Sequence, residues 1–187
     1  LAHAEAKDDI PDIDIGLSAG DTVSIGKLVD LEVLDTPGHT MSHVCLLSHT
    51  DQPALFCGDT LFNAGAGHCK GGGHPGSLYS TFTQQLSKLS DDTLIYPGHD
   101  YIENNLNFTL DREPDNEAAL TLKTKIKGQN TNDPLVTTME LEKQINTFFR
   151  LNSETVRNQL AEKFPDLGDN PSERDVFLKL RELRNNW

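Results

Sequence analysis

The sequence predicts an α/β chain: a strand-rich unit over residues 1–110, then a small helical unit over residues 111–187. Two observations carry that expectation. Short apolar segments rich in β-branched residues, separated by turn chemistry, fill the first hundred positions, and helix punctuation takes over after Glu113.

The segments "DTVSIG" and "LVDLEVLD" alternate apolar and polar residues, which suits strands with one buried face. "HVCLLSHT" and "PALFCGD" follow, with Thr-Asp-Gln-Pro as the turn between them, so the expected sheet is rich in hairpins. After the glycine-rich stretch "NAGAGHCKGGGHPGS", Leu78, Phe82, Leu86 and Leu89 recur at helical spacing and predict a helix over residues 78–89. "TLIYPGHD" then reads as a short buried strand. In the helical unit Pro114 suits a first helical turn and Gly128 a helix end. Thr137 with Glu140 reads as a capping box, and Asn170 with Glu173 as the same device before the last helix. "GQNTNDP" reads as a linker.

Composition excludes several functions. The 187 residues carry 16 Lys and Arg against 29 Asp and Glu, a net charge of −13, which disfavours binding to nucleic-acid phosphates. Residues 1–100 hold 14 acidic and 4 basic side chains, and residues 101–187 hold 15 and 12, so the cationic groups able to meet an anionic substrate sit in the second part. No apolar run reaches the roughly 18 residues of a membrane helix. Cys45, Cys57 and Cys69 are odd in number and contain no C-x-x-C pair, so a reducing, cytoplasmic setting is expected rather than a disulfide framework. "GLSAG" satisfies G-x-S-x-G around Ser18, but a strand-like segment follows where the nucleophile elbow needs a helix. The glycine-rich stretch has neither G-x-G-x-x-G nor G-K-[ST] and reads as a cleft wall.

Three residues stand out by position. His39, Asp59 and His99 each directly follow Gly at the end of an apolar strand, where a tight turn projects a side chain off the sheet. Two imidazoles and a carboxylate converging there suit zinc, iron or manganese. His43, four residues after His39, lacks the Glu of H-E-x-x-H and reads as structural. His68, Cys69 and His74 lack regular ligand spacing.

"TPGHT", "GDTLF" and "PGHDY", in this order, resemble the later metal-binding motifs of the metallo-β-lactamase superfamily, and within it those of glyoxalase II. "GHDYIENNLNF", "EPDN" and the ending "LRELRNNW" extend the resemblance over nearly the whole chain. It implies the later half of an αβ/βα sandwich followed by a small all-helical substrate-binding domain. It implies two divalent ions, zinc foremost, with His39 on the first, His99 on the second and Asp59 bridging both. The implied reaction is hydrolysis of a small anionic glutathione thioester. Tyr101 matches a residue contacting the glutathione moiety, and Arg181 and Arg184 match a basic pair meeting its glycine carboxylate. The family's opening motif, Thr-His-x-His-x-Asp-His, is not found in these 187 residues. The expectation is therefore that a further N-terminal segment or a partner chain completes the site, and that this chain alone is weak or inactive. The stretch after "GDTLF" also departs from the family's Gly-Cys-Gly-basic pattern, and Thr147 stands where Pro is usual. Two rivals are a persulfide-dioxygenase-like enzyme with one iron on two His and one Asp, and a metal-binding module without catalysis.

Overall fold

The computed structural model describes residues 1–8, 10–128 and 135–187; the expected linker at residues 128–134 lies outside them beyond Gly128. Two short strands, β1 (Ala2–His3) and β2 (Gly16–Leu17), pair in parallel near the N-terminus. They lead into β3 (Thr22–Ile25), β4 (Val29–Asp35), β5 (Val44–Ser48) and β6 (Ala54–Gly58), an antiparallel series matching the four expected strands. β7 (Leu61–Phe62) and β8 (Gly65–Ala66) form a small hairpin that leads into the stretch read as a cleft wall. β9 (Leu94–Pro97) returns to the main sheet parallel to β6, and β10 (Thr137–Thr138) closes its far edge, giving the order β10-β9-β6-β5-β4-β3.

The period-two pattern sorts the strands onto two faces. Cys45, Leu47, Leu55, Cys57 and Ile95 point one way and are buried. They share one core with Leu78, Phe82 and Leu86 and with Val176, Phe177 and Leu180 from the end of the chain. The strand-rich and helical parts are thus joined through apolar contact, each buried Leu, Val or Phe contributing roughly 1.5–3 kcal/mol. On the opposite face Phe56 and Tyr96 stack at 5.3 Å and remain 43% and 37% exposed.

Helix α1 (Pro75–Gln84) starts three residues before the expected helix and breaks into a 3-10 turn at Leu86–Lys88. Pro75 takes the first helical position, and His74 caps the end by accepting from the Ser77 N–H. α2 (Ile102–Arg112) follows β9, a helix that the strand-rich reading of this stretch did not name. In α3 (Glu117–Lys125) the cap is Asn116, whose side chain accepts from the Ala119 N–H, and Pro114 lies in the preceding turn. The capping box expected from Thr137 and Glu140 does not form; a simple cap one residue later takes its place. Thr138 caps α4 (Met139–Ile145) by accepting from the Leu141 N–H, because the Thr137 hydroxyl is taken up by Asn63 and Glu142. α5 (Glu154–Lys163) is capped by Ser153. α6 (Glu173–Arg184) carries a capping box built from Ser172 and Asp175, two residues after the expected pair, since Asn170 and Pro171 precede the first turn. Among the described residues no helix is long and apolar enough to cross a membrane.

Candidate metal centre

Strand direction brings the three singled-out residues together. β4 and β6 are each antiparallel to β5, so they run the same way, and β9 is parallel to β6. All three therefore end at one edge of the sheet, where the chain delivers His39, Asp59 and His99. β5 separates the first strand from the second, so shared direction, rather than adjacency, makes the side chains converge.

Each turn is held from behind. The Thr81 hydroxyl donates to the Pro37 carbonyl at 2.8 Å and the Gln85 amide to the Asp35 carbonyl at 2.8 Å, so α1 fixes the turn carrying His39. The Gly98 N–H donates to the Gly58 carbonyl at 2.8 Å, tying the Asp59 turn to the His99 turn. Gly58 has φ +47, a left-handed conformation that residues with a Cβ seldom adopt. A Cβ on Gly98 would lie 2.6 Å from Asp59 Oδ1, so only glycine lets this backbone pass the carboxylate.

His39 Nε2 lies 3.6 Å from Asp59 Oδ2, and His99 Nε2 lies 3.5 Å from Asp59 Oδ1. Each imidazole thus faces a different oxygen of one carboxylate. These separations exceed hydrogen-bond length but match two donors on one ion, which tetrahedral geometry with bonds of about 2.0–2.1 Å places roughly 3.3 Å apart. The donor set fits two ions, each offered one imidazole nitrogen and one carboxylate oxygen. Among the described residues no group of three or more His, Cys, Asp or Glu side chains gathers at a single point.

The surroundings set protons and orientation. His39 Nδ1 donates to the His68 carbonyl at 2.7 Å, which leaves the Nε2 lone pair facing Asp59. His43 accepts from the Asp59 backbone N–H at Nε2, 3.3 Å away, so its Nδ1 carries the proton toward the hydroxyls of Thr60 at 2.9 Å and Thr36 at 3.1 Å. Burial, with the nearby His39, lowers the His43 pKa to about 4, keeping this imidazole neutral. The structural reading of His43 therefore sharpens: it orients the residue that carries the central carboxylate. Below the site, fully buried Glu142 accepts from the Ala64 N–H at 2.9 Å, the Thr137 hydroxyl at 2.8 Å and the Asn146 amide at 3.0 Å. Burial raises its pKa to about 7 despite these donors. The network pins Ala64, a non-glycine residue at φ +56. Nothing in the local sequence marks Glu142, whose partners lie up to 78 positions away.

Tyr101 stacks on His99 at 5.1 Å and meets Phe62 edge-on at 5.2 Å, forming an aromatic wall beside the half-site. Phe62 sits in "GDTLF" but gave no independent signal. Arg184 is partly buried, donates to Asn105 Oδ1 at 3.3 Å and lies over Phe108 and Trp187. Arg181 is 3% exposed, and its Nη1 donates to the carbonyls of Ala66 at 2.7 Å and Gly67 at 3.1 Å. Burial lowers its pKa to about 10. His68 and His74 serve local turns, accepting from the N–H groups of Lys70 and Ser77. The three cysteines are free thiols.

A mixed sheet brings two imidazoles and one carboxylate together at one edge, and comparison with known proteins names the class of this fold. Residues 4–99 match the model of the metallo-beta-lactamase superfamily, and residues 100–187 match that of the hydroxyacylglutathione hydrolase C-terminus. A protein of Nitrosococcus oceani named hydroxyacylglutathione hydrolase is 63% identical over all 187 residues, and one of Polaromonas sp. with the same name is 58% identical. In both, the whole chain aligns to 71% of the relative. Among solved structures, the BLEG-1 B3 metallo-beta-lactamase aligns with a TM-score of 0.55 at 18% identity, over 79% of this chain and 63% of that one. ETHE1 from Myxococcus xanthus aligns at 0.51 and 24%, over 93% and 61%. These two likenesses speak for the fold alone. The chain belongs to the hydroxyacylglutathione hydrolase family of the metallo-beta-lactamase superfamily.

Proposed function

We propose that this chain hydrolyses the thioester of a hydroxyacyl-glutathione, releasing the hydroxy acid and the thiol, through a two-metal centre to which His39, Asp59 and His99 contribute. The observation that carries the reading is the carboxylate of Asp59 facing one imidazole with each oxygen, at 3.6 and 3.5 Å. That placement supports a bridging role for Asp59, and the names of the relatives supply the substrate class. Divalent ions held there, zinc foremost and iron or manganese as alternatives, would supply a hydroxide near neutral pH and polarise the thioester carbonyl.

The chain's own residues prepare that chemistry. The His68 carbonyl holds the proton of His39 at Nδ1, and His43 holds the backbone that carries Asp59. The stacked Tyr101 and Phe62 offer a flat apolar wall next to His99 on which the substrate can lie. Arg184, at the end of α6 and paired only with the neutral Asn105 side chain among the described residues, is the cation suited to a glycine carboxylate. A single iron on all three residues fits less well, because His39 and His99 face opposite oxygens of Asp59.

Each ion receives two protein donors from this set, whereas a tight zinc site takes about four. The remaining donors come, in this reading, from a further segment or a partner chain, and the protein works in a reducing, cytoplasmic compartment. The test is zinc content and thiol release from a hydroxyacyl-glutathione, measured on this chain and on the full-length natural product. Two zinc ions per molecule and rapid thiol release from the full-length protein, with slow release from this chain, are expected. A fully zinc-loaded full-length protein that leaves the thioester intact would sink the hydrolase reading, and full activity of this chain alone would remove the need for further donors.

A further inference from the structure

We propose that Glu142 is a positioning residue for the aromatic wall of the site: its buried carboxylate, on α4, supplies the hold that the β7–β8 turn cannot supply for itself and so keeps Phe62 against Tyr101 and His99. The inference rests on the reading of that wall as a substrate surface. Phe62 pairs with Gly65 across the hairpin, so Asn63 and Ala64 form a two-residue loop. The two-residue turns that follow the twist of the strands carry positive φ at the first loop residue or at both. Here the second residue, Ala64, carries it, at φ +56, where glycine or asparagine is the usual occupant. The local sequence therefore offers a turn that works against strand twist and has a strained residue within it.

The hold comes from the helical part. The Ala64 N–H donates to Glu142 Oε2 at 2.9 Å. The same carboxylate accepts from the Thr137 hydroxyl at 2.8 Å and the Asn146 amide at 3.0 Å, and both of these partners also grip the turn. The Asn63 amide donates to the Thr137 hydroxyl at 2.7 Å, and the Asn146 amide donates to the Gly65 carbonyl at 3.0 Å. From α2 the Asn105 amide donates to the Asn63 carbonyl at 2.9 Å. Glu142 is fully buried and its three donors are neutral, so the carboxylate is tolerated only while they stay in place. Carboxylate and turn thus hold each other. Two residues before Ala64, Phe62 is 7% exposed and lies 5.2 Å from the Tyr101 ring and 6.1 Å from the His99 ring. It backs Tyr101, the ring left open at the surface. Displacing the turn would draw Phe62 away from both rings.

The test uses Glu142→Met, which removes both acceptor oxygens, and Glu142→Gln, whose amide oxygen can still accept from the Ala64 N–H. Val156→Ala, a truncation in the main core, controls for general destabilisation. On the substrate-free chain the readout is the set of cross-peaks between the Phe62 and Tyr101 rings in spectra of ring-labelled protein. On the full-length protein it is the split between KM and kcat, together with zinc content. Glu142→Met is expected to lose the cross-peaks and to raise KM roughly twofold to tenfold, the share of one aromatic contact, with kcat and zinc content little changed. Glu142→Gln should restore most of the cross-peak intensity and the KM, and Val156→Ala should retain both. Native cross-peaks in folded Glu142→Met would overturn the proposal. Lost cross-peaks with a native KM would overturn it too, leaving Glu142 a purely structural residue, and so would equal effects in Val156→Ala. Should Glu142→Met fail to fold, Thr137→Val decides: it takes one donor from Glu142 and the acceptor from Asn63, and native cross-peaks in that variant count against the proposal. The cross-peaks are read without substrate, so failure of the hydrolase reading and failure of this inference are separate outcomes.

Discussion

His39 and His99 face opposite oxygens of one carboxylate, yet their surroundings differ. The His39 side chain is 16% exposed, its Nδ1 is held by the His68 carbonyl, and its turn is braced by α1. The His99 side chain is 52% exposed and rests on Tyr101. One half-site is preorganised by protein; the other is open to whatever arrives at the sheet edge. In the proposed two-ion centre such asymmetry would divide the work between a rigid side that retains metal and an open side that admits substrate.

The largest expected effect comes from removing what the two sides share. Asp59→Ala takes a donor from both, and metal affinity at each should fall more than about a hundredfold, beyond the loss usual for a supporting residue. Elemental analysis after desalting checks this, and retention of either ion would show that the sides are independent.

Gly67→Ala and Gly98→Ala sharpen the contrast. Each crowds the site from one side, the first against the Asp59 carbonyl near His39, the second against Asp59 Oδ1 facing His99. Both should destabilise by about 1–3 kcal/mol, as overpacking does. Gly67→Ala should disturb the His39 ring resonances first and Gly98→Ala those of His99; thermal melts and histidine spectra together decide.

The supports beneath the two sides titrate in opposite senses. His43, with its pKa lowered to about 4 from 6.5, contributes stability that is present above pH 6.5 and lost as pH falls toward 4. Glu142, raised to about 7 from 4.5, contributes stability that is present below pH 4.5 and lost as pH rises through 7. Between pH 4.5 and 6.5 the two oppose each other, so the melting temperature should vary little. Glu142→Gln removes one sense, and its melting temperature should rise with pH across that window. A flat profile in the variant would refute the assignment.

The smallest effect is expected at the open side. Tyr101→Ala removes a stacked pair worth about 0.5–1.5 kcal/mol. Stability should change by that amount or less while zinc affinity at the His39 side stays constant.

Much of this was legible before folding was considered. The order of "TPGHT", "GDTLF" and "PGHDY" marks His39, Asp59 and His99, because a strand ending in Gly announces its projecting residue locally. The four strands through residue 58 were readable, two from apolar alternation and two as apolar runs set off by the Thr-Asp-Gln-Pro turn, because strand pattern and turn chemistry are both local. Capping was readable to within one or two residues and no better, because which of two adjacent hydroxyl residues caps a helix depends on what else binds them: the Thr137 hydroxyl is held by Asn63 and Glu142, so Thr138 caps.

What the sequence by itself determined is the family and the three residues that end strands at one sheet edge, both written in contiguous motifs. The tertiary structure alone decided what holds them and their surroundings: the His68 carbonyl on His39, His43 on the Asp59 backbone, Glu142 under Ala64, and Arg181 on the carbonyls of Ala66 and Gly67. These partners lie between 16 and 115 positions apart in the chain. Such contacts arise only when a common core closes the helical part onto the sheet, and a hydrogen bond made at that distance leaves no periodicity in the sequence to be read.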